Sequence, residues 1–300
     1  MMPLLIYSVE LLPLLLVAGL IYYWRHQLDR QTRRDPLTTD LQLLPGQSLE
    51  QGLEEAKERV VNYLLIAVFT GMSVSTLLAL NRLGKDIKPW GWIDLVEVAA
   101  LVVIGLYLGW KIRPLMLASQ HIRQGIRAER ATAQEIGAAL AGNNRVFHDL
   151  QAGDFNIDHV VVTPAGVFAV ESKSRLKPPA GQGAAGARVA YDGKTLSFPG
   201  WQESRPLEQA RRQAVWLRRH LAEATGKTFP VLAVLALPGW FIERKVKLTE
   251  DMVQVINPRN SSWLFLPDNK PPRLTPEEVQ QAAFAIAKLS SPELLPASDD

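Results

Sequence analysis

The chain has 300 residues, no cysteine and a formal charge of +3 at pH 7. The lack of cysteine excludes disulfides, thiolate nucleophiles and cysteine-ligated zinc or iron–sulfur centres. A hydrophobic fraction of 47% is high for a wholly soluble protein, and the excess of apolar residues is concentrated at the start of the chain. We therefore expect a membrane region followed by a soluble domain.

Residues 1–114 are predicted to form a membrane region with three transmembrane helices. Each apolar run is close to 20 residues long, which is the length needed to cross a bilayer. Basic residues follow the first and third runs, so the positive-inside rule places the segments after them in the cytoplasm. We expect an integral protein of the inner or plasma membrane, with the lipid bilayer as a partner and a cytoplasmic soluble domain. The runs cover about residues 3–24, 60–80 and 92–110.

Three acidic residues lie within these runs. Glu10 is interpreted as a structural residue that faces the other helices. Asp94 and Glu97 fall in the first turns of the third run, where carboxylates interact favourably with the helix dipole. Ion conduction is the functional alternative, but two acids near one interface give it little support.

Two helices are predicted beside the membrane runs. Ser48-Leu49-Glu50-Gln51 has the pattern of a capping box and predicts a short charged helix that continues into the second run. From residue 115 to 141, Ile122, Ile126 and Ile136 recur at near-helical spacing, and Gly142 provides a stop signal. This second helix is expected to connect the membrane region to a sheet whose first strand covers residues 144–150.

Charged residues are built into the hydrophobic hairpin predicted over residues 157–173. Asp158 begins its first strand, and Glu171 and Lys173 end its second. Because side chains alternate between the faces of a strand, Glu171 and Lys173 point the same way, and the turn brings Asp158 back to their end of the sheet. Burying these charges is costly unless they pair or bind a metal ion.

The hairpin charges support two interpretations. They could form a surface ion pair and a strand-entry residue, which would contribute at most ~1 kcal/mol. Alternatively, Asp158 and Glu171 would supply oxygen ligands for Mg²⁺, and Lys173 would orient or deprotonate a water that attacks a phosphodiester. Asp154 is either an additional ligand or a turn residue, and His159, on the opposite face of the strand, is interpreted as a packing residue.

The next segment contains a sequence that matches a dinucleotide-binding fingerprint. Residues 181–186 read Gly-Gln-Gly-Ala-Ala-Gly, but the fingerprint requires a strand directly before it and a helix directly after it. Prolines precede this segment, so a flexible loop is the preferred interpretation. Asp192-Gly193 then predicts a hairpin turn between strands at 188–191 and 195–198.

A basic helix is predicted over residues 204–224. Its arginines either follow a nucleic-acid backbone or form a solvated face. A buried strand at 231–237, weaker strands at 253–256 and 263–266, a helix from Thr275 to about Leu289 and a disordered tail over 290–300 complete the predicted elements. The helix arginines are Arg211, Arg212, Arg218 and Arg219.

Five short motifs occur in order between about residues 128 and 240. They are Gln134-Glu135 on a helix, Ile157-Asp158, Gly166 in a turn, Glu171-Ser172-Lys173, and Pro206-Leu207-Glu208-Gln209. In this order they resemble the nuclease-related domain, or NERD, of the PD-(D/E)xK superfamily. The resemblance implies an α/β fold with a restriction-endonuclease-like mixed sheet flanked by helices. The domain would cover residues 115–240, with 241–289 as a C-terminal extension.

The resemblance also implies roles for individual residues. Asp158 and Glu171 would bind Mg²⁺ or Mn²⁺, with Glu135 as a third ligand. Lys173 would be the catalytic base or would stabilise charge, and Gln209 would position the lysine or a phosphate oxygen. The expected function is that of a membrane-anchored nuclease acting on DNA or RNA, with DNA favoured.

Two other classes of function remain open. A catalytically inactive nucleic-acid-binding or membrane-scaffold module would retain the same fold, because fold alone does not determine activity. Membrane transport is less favoured, since the three runs have no central polar pathway. The sequence also leaves room for a homo-oligomer.

Overall fold

A computed structural model of the chain describes Tyr23, Gly142 and six longer stretches. The predicted first span, with Glu10, and the glycine-rich loop at 181–186 lie outside the described residues, as does the predicted tail beyond Ser290. The described stretches are residues 43–82, 91–140 with 142, 144–178, 187–260, 262–266 and 271–290.

Two long helices occupy the first half of the described chain. Helix α1 covers Gln47–Arg82 and helix α2 covers Trp92–Ala139. Both are long and apolar enough, by length and composition, to cross a membrane. Large apolar side chains on both are exposed, with Leu64 at 52% and Leu106 at 70%. Two of the three predicted spans therefore lie on described helices.

Helix α2 is longer than the sequence suggested. The third predicted span and the helix predicted over 115–141 form one continuous helix of 48 residues that contains Pro114. A proline inside a helix costs about 3 kcal/mol because it lacks an N–H donor and crowds the preceding turn. Apolar residues recur at helical spacing on both sides of Pro114, and this pattern favours a helix that continues through the proline.

Contacts within the chain divide it into two compact units. Of the described residues, one unit contains 61–82 and 91–112, and the other contains 43–60 and those from 113 onwards. The segment that precedes the first described apolar span thus belongs to the same unit as the strands.

The main sheet of this second unit is mixed and has the strand order β1-β2-β3-β7-β9. Strands β1, β2 and β3 pair antiparallel, as the predicted hairpin requires, and β7 and β9 add in parallel beside β3. The predicted mixed α/β class and the predicted strands at 144–150, 157–173 and 231–237 are confirmed. The strands are β1 Arg145–Gln151, β2 Asn156–Thr163, β3 Gly166–Ser172, β7 Val231–Ala236 and β9 Gln254–Ile256.

A glycine is required in the turn between β2 and β3. Gly166 has a φ of 140°, and a Cβ there would lie 3.2 Å from the carbonyl oxygen of Pro230. Both the backbone angle and the close approach of the neighbouring strand favour a residue with no side chain. This turn fixes the register that returns Asp158 to the end of β3.

A second, smaller sheet has the order β6-β5-β4-β8. The predicted hairpin around Asp192-Gly193 is present between β4 and β5, and β8 adds in parallel beside β4. Among the described strands, β6 pairs with β5 and forms one edge of this sheet. These strands are β4 Arg188–Tyr191, β5 Leu196–Phe198, β6 Trp201–Glu203 and β8 Phe241–Arg244.

Three helices follow in the second unit, one of them where a strand was predicted. The strand predicted at 263–266 is wrong, because this segment forms helix α4, Ser262–Phe265. Phe265 packs edge-on against Phe168 with ring centroids 5.1 Å apart, whereas Trp263 is 43% exposed. A strand would have put both side chains on one face. The other two are α3, Arg205–Thr225, and α5, Pro276–Ala287, and short 3₁₀ turns cover Pro258–Asn260 and Lys288–Ser290.

The two faces of the main sheet pack against different helices. Val160, Val162 and Ala169 belong to a core with α3 and α5, whereas Val161 and Val170 pack with residues of α2 and α4. Since strand residues alternate between faces, Asp158 and Glu171 lie on the α3 side of the sheet. The fold therefore places both carboxylates at one end of the sheet, beside the start of α3.

Candidate active site

An open cleft of about 680 Å³ lies where β2 begins and β3 ends, at one end of the main sheet. It brings together Asp158, Glu171, Lys173 and Gln209, which the sequence proposed as site residues. Asp154, the candidate additional ligand, also lines it. The full lining is Ser48, Leu49, His121, Ile122, Gln124, Gly125, Glu129, Asp154, Phe155, Asn156, Asp158, Glu171, Ser172, Lys173, Ser174, Arg175 and Gln209.

Glu171 is the most deeply buried acid of the cleft, with 1% of its side chain exposed. One carboxylate oxygen contacts the Lys173 ammonium, and the other accepts a hydrogen bond from the Gln213 amide. A buried charge is tolerated only when it is paired and hydrogen-bonded, and Glu171 has both kinds of partner.

Lys173 follows directly after β3 and is only partly exposed, at 27% of its side chain. Its backbone N–H donates to the carbonyl of Ala236, at the end of β7, over 2.9 Å. The neighbouring parallel strand thus fixes the backbone of Lys173, while its side chain reaches both Glu171 and the open cleft.

The Asp158 carboxylate lies in surroundings that disfavour its charged form. Its Oδ2 accepts a hydrogen bond from the backbone N–H of Ser172 over 2.6 Å. Burial raises the pKa of Asp158 well above its ordinary value, and the charges of Glu171 and Glu129 raise this pKa further. Lys173 and the Ser172 N–H act in the opposite direction without outweighing burial. The site would be stabilised by any cation that neutralised these acids.

The helical carboxylate of the cleft is Glu129 on α2, and Glu135 is not among the described residues that line it. Glu129 is 7% exposed. Burial, followed by the charges of Asp149 and Glu171, raises its pKa to about 7. Among the described residues, the helix glutamate that lines the cleft is therefore Glu129 and not Glu135, which the sequence proposed.

Helix periodicity explains the difference between the two glutamates. Glu129 is seven residues from both Ile122 and Ile136, which is close to two helical turns, so it lies within the apolar stripe of α2. Glu135 is adjacent to Ile136 and points about 100° away from it. A glutamate inside the stripe was the signal that would have identified Glu129.

Part of the chain matches a known protein family. Residues 124–238 match the family model of the nuclease-related domain. The match begins in α2, before Glu129, and ends after β7. It therefore includes the three interacting carboxylates Glu129, Asp158 and Glu171. Helix α1, the first part of α2 and all residues after 238, including β8, lie outside the match. No curated protein and no solved structure shows significant similarity to the chain.

Gln213, within the segment that matches the nuclease-related domain, is a residue that the sequence did not single out. It lies one turn after Gln209 on α3 and is fully buried, whereas Gln209 is half-buried at the cleft. Its amide donates to Glu171 and, over 2.9 Å, to the carbonyl of Asn156. Gln213 therefore holds the buried carboxylate in place, and Gln209 is the one open to a ligand.

Gln213→Leu should destabilise the protein by about 2 to 4 kcal/mol, because it removes the donor from the buried Glu171 carboxylate and from the part-buried Asn156 carbonyl. Gln209→Leu, the same change one turn earlier, should cost under about 1 kcal/mol because Gln209 is not enclosed. Denaturant unfolding of the full chain in detergent, followed by fluorescence, would compare the two. Equal losses in both variants would contradict the assigned role of Gln213.

The opposite face of β2 carries a buried histidine. His159 Nδ1 lies 2.9 Å from Nδ1 of His148, and its Nε2 lies 3.2 Å from the Ser172 hydroxyl. Burial, with a smaller contribution from His148, lowers the pKa of His159 to about 3. It is therefore neutral near pH 7, in agreement with its interpretation as a packing residue.

Asp149 on β1 anchors the start of α1 to the main sheet. It has a φ of 52°, is buried, and accepts hydrogen bonds from the Ser48 N–H over 2.6 Å and the Ser48 hydroxyl over 2.8 Å. Asn156 donates to the same carboxylate over 2.9 Å. The predicted capping box at Ser48 is therefore wrong: the hydroxyl bonds a residue 101 positions away. Through this link Ser48 and Leu49 become one wall of the cleft.

Ser48→Ala should lower the free energy of unfolding by about 1 kcal/mol, and Asp149→Ala by about 2 to 4 kcal/mol. The aspartate costs more because its loss leaves the helix start and Asn156 without an acceptor. Ser119→Ala is the matched control, since Ser119 bonds only a carbonyl of its own helix. Thermal unfolding of the full chain would measure these differences. A loss for Ser119→Ala as large as that for Asp149→Ala would contradict this account.

The arginines of α3 serve other contacts. Arg211 donates to the carbonyl of Gly193 and Arg218 to that of Val231, and both line a separate cavity of about 380 Å³. Arg219 lies 3.8 Å from Glu223, and Arg212 is exposed. Within the described residues, none of the four lines the cleft. Its own arginine is Arg175.

The donor set of the cleft suits a hard divalent cation, which prefers carboxylate oxygens. The charge of Glu171 raises the pKa of both Glu129 and Asp158, and the charge of Glu129 also raises that of Asp158, so a cation would relieve this repulsion. Across the described stretches, however, no three acidic or histidine side chains form a ready-made metal-ligand cluster. Glu171 in particular is occupied by Lys173 and Gln213, and would have to exchange a partner to bind metal.

Proposed function

We propose that this chain is a membrane-anchored nuclease that hydrolyses phosphodiester bonds of DNA or RNA and depends on Mg²⁺. The observation that carries the proposal is the Lys173–Glu171 pair beside the protonation-prone Asp158, inside a segment that matches the nuclease-related domain. The mixed sheet with these residues at one end suits the restriction-endonuclease-like PD-(D/E)xK superfamily, to which the sequence motifs pointed.

In this proposal Asp158 and Glu171 hold Mg²⁺ or Mn²⁺, and Glu129 takes the place first given to Glu135. The metal would supply a water of lowered pKa and neutralise charge on the phosphate. Lys173 stands beside Glu171 and lines the cleft, so its ammonium would hold a phosphate oxygen or orient the attacking water. Gln209 would position the same groups from the first turns of α3.

The lipid bilayer is the second proposed partner. The exposed apolar side chains of α1 and α2 would lie in lipid, where they cost nothing to expose. The basic residues after Trp110 favour the cytoplasmic side for the nuclease-related domain. Because α1 and α2 run directly into the walls of the cleft, anchoring and the site share the same helices.

Cleavage of a labelled panel of single- and double-stranded DNA and RNA would test the proposal. The full chain, in detergent or nanodiscs, would be assayed with Mg²⁺, Mn²⁺ or EDTA beside Asp158→Asn. We expect products with either metal, none with EDTA, and none from the folded variant. Products that persist in EDTA or in Asp158→Asn would overturn the assignment of the site.

A catalytically inactive nucleic-acid-binding or scaffold module is the second candidate. It is favoured by the occupied state of Glu171, whose two oxygens already have protein partners. Under this alternative the folded wild type binds oligonucleotides with the same affinity as Asp158→Asn and yields no metal-dependent product.

A further inference from the structure

An aromatic column leads from the core of the small sheet to the surface. Trp240 is 1% exposed and meets the ring of Phe198 edge-on, with centroids 4.9 Å apart. Phe198 in turn stacks on Trp201, with centroids 4.1 Å apart and an interplanar angle of 7°. Trp201 lies on edge strand β6 and is 39% exposed. A large flat ring is thus held rigidly and presented to solvent.

This column is attached to the wall of the cleft. Arg175 lines the cleft, and its guanidinium lies 5.9 Å from the Trp201 ring centroid. The same guanidinium makes two hydrogen bonds to Glu203, over 2.7 and 2.8 Å, and the Trp240 indole donates to the Arg175 carbonyl over 3.2 Å. Arg175 is two residues after Lys173, so their Cα atoms are at most about 7 Å apart.

The contacts of Arg175 indicate which chemistry its surroundings offer a ligand. Its guanidinium is already paired with Glu203, so it contributes no free positive charge for a phosphate. The Trp201 ring beside it is 39% exposed, although Phe198 stacks on it and the Arg175 guanidinium lies 5.9 Å from its centroid. These two contacts hold the ring in place and leave part of it accessible to a ligand. An exposed, pre-ordered indole is suited to stacking against another flat π system.

We propose that Trp201 is a nucleobase-stacking residue beside the cleft, and that the substrate is therefore single-stranded nucleic acid. This inference rests on the proposed nuclease function and deepens it. Stacking on an aromatic side chain contributes about 1 to 3 kcal/mol per base, and only an unpaired base can leave its neighbours to make that contact. In a duplex the bases are stacked inside the helix, so Trp201 would gain nothing. Both DNA and RNA have suitable bases, and the 2′-hydroxyl is the feature that separates them.

Fluorescence anisotropy with the full chain in nanodiscs, in EDTA to prevent cleavage, would test the inference. The probes are labelled single strands of DNA and of RNA, the matching duplexes, and single strands with abasic sites. Trp201→Ala should weaken single-strand binding about 5- to 100-fold and leave duplex and abasic binding unchanged. Trp201→Tyr should retain most of the affinity. Thermal unfolding would verify that each variant is folded.

Trp263→Ala is the matched control, because Trp263 is 43% exposed, lies near Arg244, and lines a different pocket. It should change single-strand affinity less than twofold. The inference is overturned if Trp201→Ala has no effect, affects duplexes equally, or matches Trp263→Ala. If the wild type cleaves with Mg²⁺ in that case, the nuclease function stands without stacking. If Trp201→Ala selectively loses single-strand affinity and the wild type does not cleave, the stacking role is supported and the proposed nuclease activity is excluded.

Discussion

Lys173→Ala should reduce metal-dependent cleavage by about 10²- to 10⁴-fold, the range typical of removing a positioned acid–base or charge-stabilising group. The ammonium is the cationic partner of Glu171, and it lies in the cleft where a phosphate would gain negative charge. Its loss also leaves the buried Glu171 with Gln213 as its remaining partner. We therefore expect a moderate fall in stability beside the much larger fall in activity.

Lys177→Ala controls for the loss of a lysine near the same strand end. Lys177 is exposed, is four residues further along, and is not among the described residues that line the cleft. It should cleave within twofold of the wild type. Initial rates would be measured at saturating Mg²⁺, with circular dichroism as the check on folding. Wild-type rates in a folded Lys173→Ala protein would exclude a catalytic role for this lysine.

The strand part of the site was readable from the sequence because strands have a simple period. Asp158 stands at the start of one apolar run, and Glu171 and Lys173 stand at the end of the next, so each charge was conspicuous, and the alternation of side chains placed them together. The glycine turn at Gly166 then set which ends of the two strands meet. Local pattern and local turn chemistry were sufficient for these residues.

The helical part of the site was harder to read. Choosing between Glu129 and Glu135 depends on the phase of α2, and a shift of six residues turns a side chain to another face of the helix. Gln213 could not be ranked above Gln209, because the depth of each on α3 depends on how the helix packs on the sheet. Such packing is not encoded in the spacing of a short motif.

The contact between Asp149 and Ser48 could not be predicted at all. The two residues are 101 positions apart and are joined only by the folded arrangement of α1 and β1. A positive φ at an aspartate within a strand also contradicts local preference. Asp149 is therefore a place where the tertiary structure overrides local propensity. A fragment that begins after α1 would lack Ser48 and Leu49, and with them one wall of the cleft.

Glu129→Gln should stabilise the metal-free protein, and the gain should increase with pH. The folded-state pKa of Glu129 is raised to about 7 from an ordinary value of 4.5, so the folded protein binds this proton more tightly than the unfolded chain. The resulting stability is fully present below about pH 4.5 and is lost as pH rises through 7. Glutamine resembles the protonated acid and has no such loss. The difference between variant and wild type should approach about 3 kcal/mol above pH 7.

Other titrating groups do not obscure this result. The lowered pKa of His159 gives stability that is present above about pH 6.5 and lost towards pH 3, which is the opposite slope. Because His159 is unchanged in the variant, its contribution cancels in the difference. Asp158→Asn should show the same sign as Glu129→Gln, since the pKa of Asp158 is also raised.

Chemical unfolding between pH 4.5 and 8.5, in EDTA and then in Mg²⁺, would measure this difference. Glu135→Gln, on the same helix but away from the cleft, is the control for the substitution itself. Mg²⁺ should stabilise the wild type at pH 8 and stabilise Glu129→Gln and Asp158→Asn less, because the stabilisation by a ligand that binds the native state increases with the logarithm of its affinity. A difference that is constant with pH would show that Glu129 is not part of a strained acidic cluster. An equal response of all three proteins to Mg²⁺ would place any bound metal elsewhere.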